Sequence, residues 1–241
     1  VAARRLVPGS RSLYVSPFRV DLTVRQNVPA AARAAPLARA LAAALLAGGA
    51  PSPASVGLVL TDDRELAELN AAHLGTAEPT DVLSFPLLPP EAYPAHEGSG
   101  PRPAAEPGHG AGEPAFRLPP GRRPHLGDVV VSVERAISQA EAGRGGQTGD
   151  LRWSPADELR LLVVHGGLHL CGWDHAEPAE EAAMRALEAE LLGHLGSRAR
   201  AGSRAQAGSR AQAGNPAQAG GRAQAGSPAR PQTSDVQREG P

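Results

Sequence analysis

His165-Gly-Gly-Leu-His169-Leu-Cys-Gly172-Trp-Asp174-His175 is the stretch on which the fold and the chemistry of this chain turn. His165 and His169 are four residues apart, so on an α-helix their imidazoles lie on one face, one turn above the other. Gly172 can take a left-handed conformation, which ends the helix and lets the chain return to bring His175 to the same point. Neutral imidazole suits Zn²⁺, and three protein ligands with a fourth position left for water is the pattern of a catalytic rather than a structural zinc site. Upstream, Ser154-Pro155 with Asp157 and Glu158 reads as a capped helix start. Leu159, Leu161, Leu162, Val163 and Val164 then make that helix apolar on most sides. The histidines therefore project from a buried, rigid element.

The spacing His-x-x-x-His-x-x-Gly-x-x-His is also that of the metzincin peptidases, whose residue after the first histidine is a glutamate general base. Here that residue is Gly166, so a hydrolysis other than peptide cleavage has to be considered. Cys171 is the single cysteine, which excludes an intramolecular disulfide and fits a reducing compartment. It reads as a small buried residue rather than a fourth ligand, which would close the site to water.

Of 241 residues, 28 are Gly and 24 are Pro and 3% are aromatic, so much of the chain is not core. The net charge of −1 is uneven: residues 197–241 carry seven Arg against Asp235 and Glu239. All 24 basic residues are Arg, which points to codon bias more than to an electrostatic design. No apolar run reaches membrane-spanning length and the start lacks a signal-sequence pattern, so a cytoplasmic protein is expected.

Residues 1–17 lack periodicity and read as a loose N-terminal extension. Val20, Leu22 and Val24 alternate with polar residues over Arg19–Arg25, as in a half-buried strand. Pro36 opens a helix carrying Leu37, Leu41 and Leu45, stopped by Gly48-Gly49. A strand follows at Val56–Leu60. Asp62 with Glu65 resembles a capping box for a helix that buries Leu66 and Leu69 and ends at Gly75. Thr80–Phe85 reads as a strand stopped by Pro86, at a sheet edge or leading out of the sheet. Eleven Pro and six Gly between Pro86 and Pro124 mark a flexible surface insertion, 87–124, in which or beside which His96, His109 and His125 read as solvated. Leu126–Val133 is the best strand, followed by a helix over Glu134–Glu141. Pro178 opens the last helix, with Met184, Leu187, Leu191 and Leu192 facing inward. From Ala201 the chain runs through AGSRAQ, AGSRAQ, AGNPAQ, AGGRAQ and AGSPAR, units without a large apolar side chain, so 197–241 reads as a disordered low-complexity tail.

With these pieces placed, Leu69-Asn70, Thr80-Asp-Val-Leu-Ser-Phe-Pro86, Leu126-Gly-Asp128 and the three-histidine segment resemble the YbeY family of bacterial endoribonucleases and ribosomal RNA maturation factors. The resemblance covers roughly residues 19–195, and the domain is taken as 18–196. It implies an α/β (α+β), zincin-like fold: a small mixed sheet flanked by helices, with the metal site on one helix and the turn after it. It also implies one Zn²⁺ per chain held by His165, His169 and His175. The expected substrate is single-stranded RNA, namely ribosomal RNA of the small subunit at its 3′ end, with a role in ribosome quality control; no membrane or DNA is expected. Where the family commonly has an arginine thought to meet RNA phosphate, this chain has Leu74. The resemblance then leaves phosphate contact to His73 or to Arg122 and Arg123.

Such an ion would polarise a phosphodiester oxygen, activate water, or both. Asp174 is read as orienting an imidazole or accepting a proton, the orienting role being favoured because metal-bound histidines donate their second N–H to an acceptor. Thr80, Asp81 and Ser84 are read as structural groups or as supports behind the ligands. No residue is assigned as catalytic. The rival readings are a metallopeptidase, opposed by Gly166, and a non-enzymatic ribosome-assembly factor with a structural zinc.

Overall fold

A computed structural model describes residues 7–26, 28–29, 31–75, 80–96, 123–142 and 153–194. Five strands form one mixed sheet in the order β1-β2-β3-β5-β4. The inner strands β2 (Phe18–Val24), β3 (Ser55–Thr61) and β5 (His125–Ser132) run parallel, while the edges β1 (Gly9–Val15) and β4 (Val82–Pro86) run antiparallel to their neighbours. The alternation predicted for β2 is realised: Phe18, Val20, Leu22 and Val24 are buried and the residues between are half-buried. Pro86 ends β4 at the edge, as expected, since proline cannot donate to a ladder. In β5 an extra residue against β3 forms a bulge at Gly127, whose φ of 134° excludes most side chains.

The loose extension expected over residues 1–17 is corrected over its second half. Gly9–Val15 pairs along its whole length with β2. Only Leu13 and Val15 pack against the core from this strand, and its other residues face solvent, so its apolar alternation is faint. Backbone pairing and cross-strand bonds such as Ser12 Oγ to Asp21 (2.5 Å) hold it there.

Helices α1 (Ala34–Ala47) and α4 (Pro155–Leu170) share the main core with β2, β3 and β5. Helix α2 (Asp63–Leu74) covers the opposite face, where Leu66 packs with Leu83 and Val130. Asp62 caps α2 by accepting the Glu65 N–H at 2.9 Å, but the reciprocal half of the expected capping box is absent. Instead the Glu65 carboxylate accepts from Thr61 and Arg25. Helix α3 (Val133–Glu141) is capped by Ser132 and packs beside α4; a last helix, α5, covers residues 178–194.

Two glycines explain how α4 sits so deep. A Cβ at Gly166 would stand 2.7 Å from Val129 Cγ1 and 3.1 Å from Ser84 Oγ, and one at Gly167 would stand 2.9 Å from Ala44 Cβ. One glycine admits the sheet and the other admits α1. Ser84 Oγ also donates to the Gly166 carbonyl at 2.9 Å, fastening β4 to the helix beside the first histidine.

The expected surface insertion, 87–124, is corrected at its start. Leu87 N–H bonds the Leu126 carbonyl, a short 3₁₀ turn spans Pro90–Ala92, and Tyr93 is 4% exposed within the core cluster. Apolar Leu88 and Tyr93 give these residues something to bury: Tyr93 lies in the main core and Leu88 packs against it. Residues 97–122, with His109 and Arg122, and the 197–241 tail lie outside the described residues. Among the described residues no helix is long and apolar enough to cross a membrane.

Candidate metal centre

Helix α4 presents His165 and His169 one turn apart, and its exit supplies the third ring. Ser154 and Asp157 form a complete capping box at its start, fixing the helix in register. At its end Gly172 takes φ 81° and Trp173 N–H bonds the Leu168 carbonyl at 3.2 Å, so the chain folds back within one turn. His175 thereby lies parallel to His165 at 5.8 Å between centroids and edge-on to His169 at 5.1 Å. One ligand atom from each of the three lies within 4.8 Å of the others.

The second nitrogens of two rings are already engaged. His165 Nδ1 donates to Glu188 Oε1 at 2.7 Å and His169 Nδ1 donates to the Trp173 carbonyl at 2.7 Å. With Nδ1 donating to those acceptors, each ring turns its Nε2 outward. The two Nε2 atoms face each other 3.1 Å apart, close enough to share a proton or a metal ion. A tetrahedral ion with Zn–N near 2.0–2.1 Å needs donors about 3.3 Å apart, which the 3.1 Å pair comes close to, and His175 stands exposed beside them. Burial, with His165 adding to it, holds His169 down at about 4 from its usual 6.5. The ring stays a neutral donor at physiological pH.

The ligand-orienting role expected of Asp174 falls elsewhere. Asp174 Oδ1 accepts the His175 backbone N–H at 2.8 Å and so stiffens the turn, while Glu188 on α5 orients His165. Glu188 escaped the sequence reading because it lies 23 residues from its partner. The available signal was the spacing of four that puts Glu180 and Glu188 on the face of Met184, which reads as inward; all three are buried there. Cys171 is fully buried beside Gly48 at the end of α1, and burial pushes its thiol up to about 12. It is packing, as expected.

Beside the histidines lies an open pocket whose described lining includes Asp81, Glu158, Glu181, Arg185 and Glu188. Asp81 is held there by Gln139 of α3 at 2.8 Å, and Thr80 bonds the Val82 carbonyl, so both act as supports. Of the suggested phosphate contacts, His73 packs edge-on against Phe85, on the α2 side of β4. Arg123 reaches the Pro17 carbonyl and lies over the Tyr14 ring at 6.0 Å. Neither lines the pocket; among the described residues its one arginine is Arg185. His96, expected to be solvated, is instead 7% exposed at its side chain and bonds Glu180 at 2.6 Å.

Comparison with known proteins joins these features to a family: the model described as Endoribonuclease YbeY matches residues 22–196. The chain belongs to the YbeY family. It is 38% identical over 152 residues to the endoribonuclease YbeY of Symbiobacterium thermophilum, covering 63% of this chain and 78% of that one. With the Salinispora tropica protein of the same name it shares 44% over 141 residues, covering 58% and 73%. With that of Chloroflexus aurantiacus it shares 38% over 159 residues, covering 66% and 84%. The YbeY match contains all three histidines, Glu188 and the whole of α4, and it begins inside β2, so β1 precedes it.

Proposed function

We propose that this YbeY-family chain is a zinc-dependent, single-strand-specific endoribonuclease acting in ribosomal RNA processing, at the 3′ end of the small-subunit RNA, and in ribosome quality control. Family membership supplies the reaction class. One observation carries the metal: three imidazoles converge, each offering a ring nitrogen within 4.8 Å of the others, and two of them, with Nδ1 committed to acceptors, turn Nε2 on one another at 3.1 Å beside an open pocket. His165, His169 and His175 would hold one Zn²⁺, which when bound supplies a Lewis acid for a phosphodiester oxygen and lowers the pKa of water.

The chain's own groups do the holding and orienting. Glu188 and the Trp173 carbonyl fix the tautomers, and the turn closed by Asp174 delivers His175. The pocket wall works against an anion: Asp81, Glu158, Glu181 and Glu188 outnumber Arg185. RNA phosphate therefore depends on positive charge at the three histidines to approach. The position after His165 is filled by packing with Val129, Val82 and Ser84, leaving no place for the glutamate base of the peptidase reading. The substrate is ribosomal RNA in the cytoplasm, and neither DNA nor a membrane is involved.

The test is a small-subunit rRNA precursor carrying a 3′ extension, offered unpaired or annealed to a complementary strand. Cleavage of the unpaired extension and protection by the complement are expected. Equal cutting of the duplex, or of DNA of the same sequence, would overturn the assignment.

A further inference from the structure

We infer that His96, at the start of the long insertion, is a positioning residue for the metal centre. The inference rests on the reading of His165, His169 and His175 as ligands. His96 Nε2 donates to Glu180 Oε1 at 2.6 Å, and the same oxygen accepts the Asp174 backbone N–H at 2.9 Å. The His96 ring also stacks on Trp173, 4.1 Å between centroids and 15° between planes. Trp173 and Asp174 are the two residues immediately before His175, and the Trp173 carbonyl takes the Nδ1 proton of His169. His96 thus braces both the acceptor that orients the second histidine and the backbone that delivers the third.

The brace is itself anchored. Tyr93 is buried in the core, and Pro94 lies where a Cβ on Gly49 would stand, 2.4 Å from its Cγ. Chain running from β4 towards the insertion is therefore strapped across the exit of α4 before it leaves the described region. A ring that both stacks and donates restricts the Trp173–His175 turn in two directions, which a hydrogen bond alone would not do. Without it the turn keeps the Asp174 bond to Glu180 and the Trp173 bond to the Leu168 carbonyl but loses the ring packed on Trp173. Ligands held by such outer contacts lose metal affinity about 10–100-fold when the contact is removed.

Co²⁺ binding to the full-length chain, measured by chelator competition and by its absorption spectrum, tests this with His96→Ala, His96→Gln and a His169→Ala control. Thermal midpoints of the metal-free proteins are measured alongside. Both His96 variants, measured where they are folded, are expected to bind Co²⁺ at least tenfold more weakly than wild type, with an altered spectrum; loss of the buried ring also lowers the metal-free midpoint. A merely structural role would lower the midpoint and leave the affinity and spectrum of the folded protein alone. Wild-type affinity and spectrum in the folded variants would overturn the inference. If His96→Ala does not fold, the glutamine variant, which keeps a donor and loses the stack, gives the reading. Should wild type bind Co²⁺ no better than His169→Ala, the ligand assignment itself fails, and the inference with it.

Discussion

Each histidine of the centre is held by a different device, and the devices set what substitution will do. His165 relies on Glu188, His169 on the Trp173 carbonyl and His175 on the turn stiffened by Asp174. Replacing any of the three by alanine should abolish stoichiometric zinc, whereas Glu188→Ala should keep the metal but weaken it about 10–100-fold. Zinc content and chelator competition on purified variants check both; full occupancy in any histidine variant contradicts the shared site. His169 also makes the metal-free protein sensitive to acid. Its folded value, about 4, lies below the ordinary 6.5, so between those values the unfolded chain binds more protons than the folded one. Stability is therefore lost as pH falls through that window. The metal-free thermal midpoint should drop from pH 6.5 towards 4, less steeply in His169→Gln; parallel curves would refute this. The histidines were legible in the sequence because their geometry is local. Glu188 and His96 were not, since their partners lie far along the chain and only folding brings them near.

At the scale of the element, the glycine pair of α4 shows how a motif residue can be read for the wrong reason. The contrast with peptidases makes Gly166 look like a missing catalytic group, yet its role is close approach to Val129, Val82 and Ser84. Gly166→Ala should accordingly destabilise the fold by about 1–3 kcal/mol, the range of overpacked cores. A denaturation midpoint unchanged from wild type would show that the sheet yields freely. Helix periodicity was readable for α1, α2 and α4 from their apolar spacing, and the caps of α2 and α4 from Asp62 and Ser154; α1 starts at Ala34, two residues before Pro36, on Arg33, which makes no side-chain cap bond. Strand β1 was not readable. Gly9–Val15 is largely exposed and lies between Pro8 and Pro17, so it offers neither alternation nor clean boundaries, and its pairing with β2 is a tertiary fact.

At the scale of the whole molecule, the core is built from one sheet, the helices on its faces and the first residues of the insertion, all before residue 195. The 197–241 repeats carry no large apolar side chain to add to it. Deleting 197–241 should leave the zinc content and thermal midpoint unchanged, as metal analysis and calorimetry would show; a large fall in either would mean that the tail is part of the domain. Three histidines that carry a metal used to cut RNA are tested most directly by incubating the purified full-length chain with single-stranded RNA and with unfolded casein, each before and after removal of metal by chelator and again after zinc is restored. RNA cleavage should vanish with the metal and return with zinc, while casein stays intact throughout. Chelator-sensitive proteolysis with the RNA untouched, or RNA cleavage indifferent to the metal, would contradict that role.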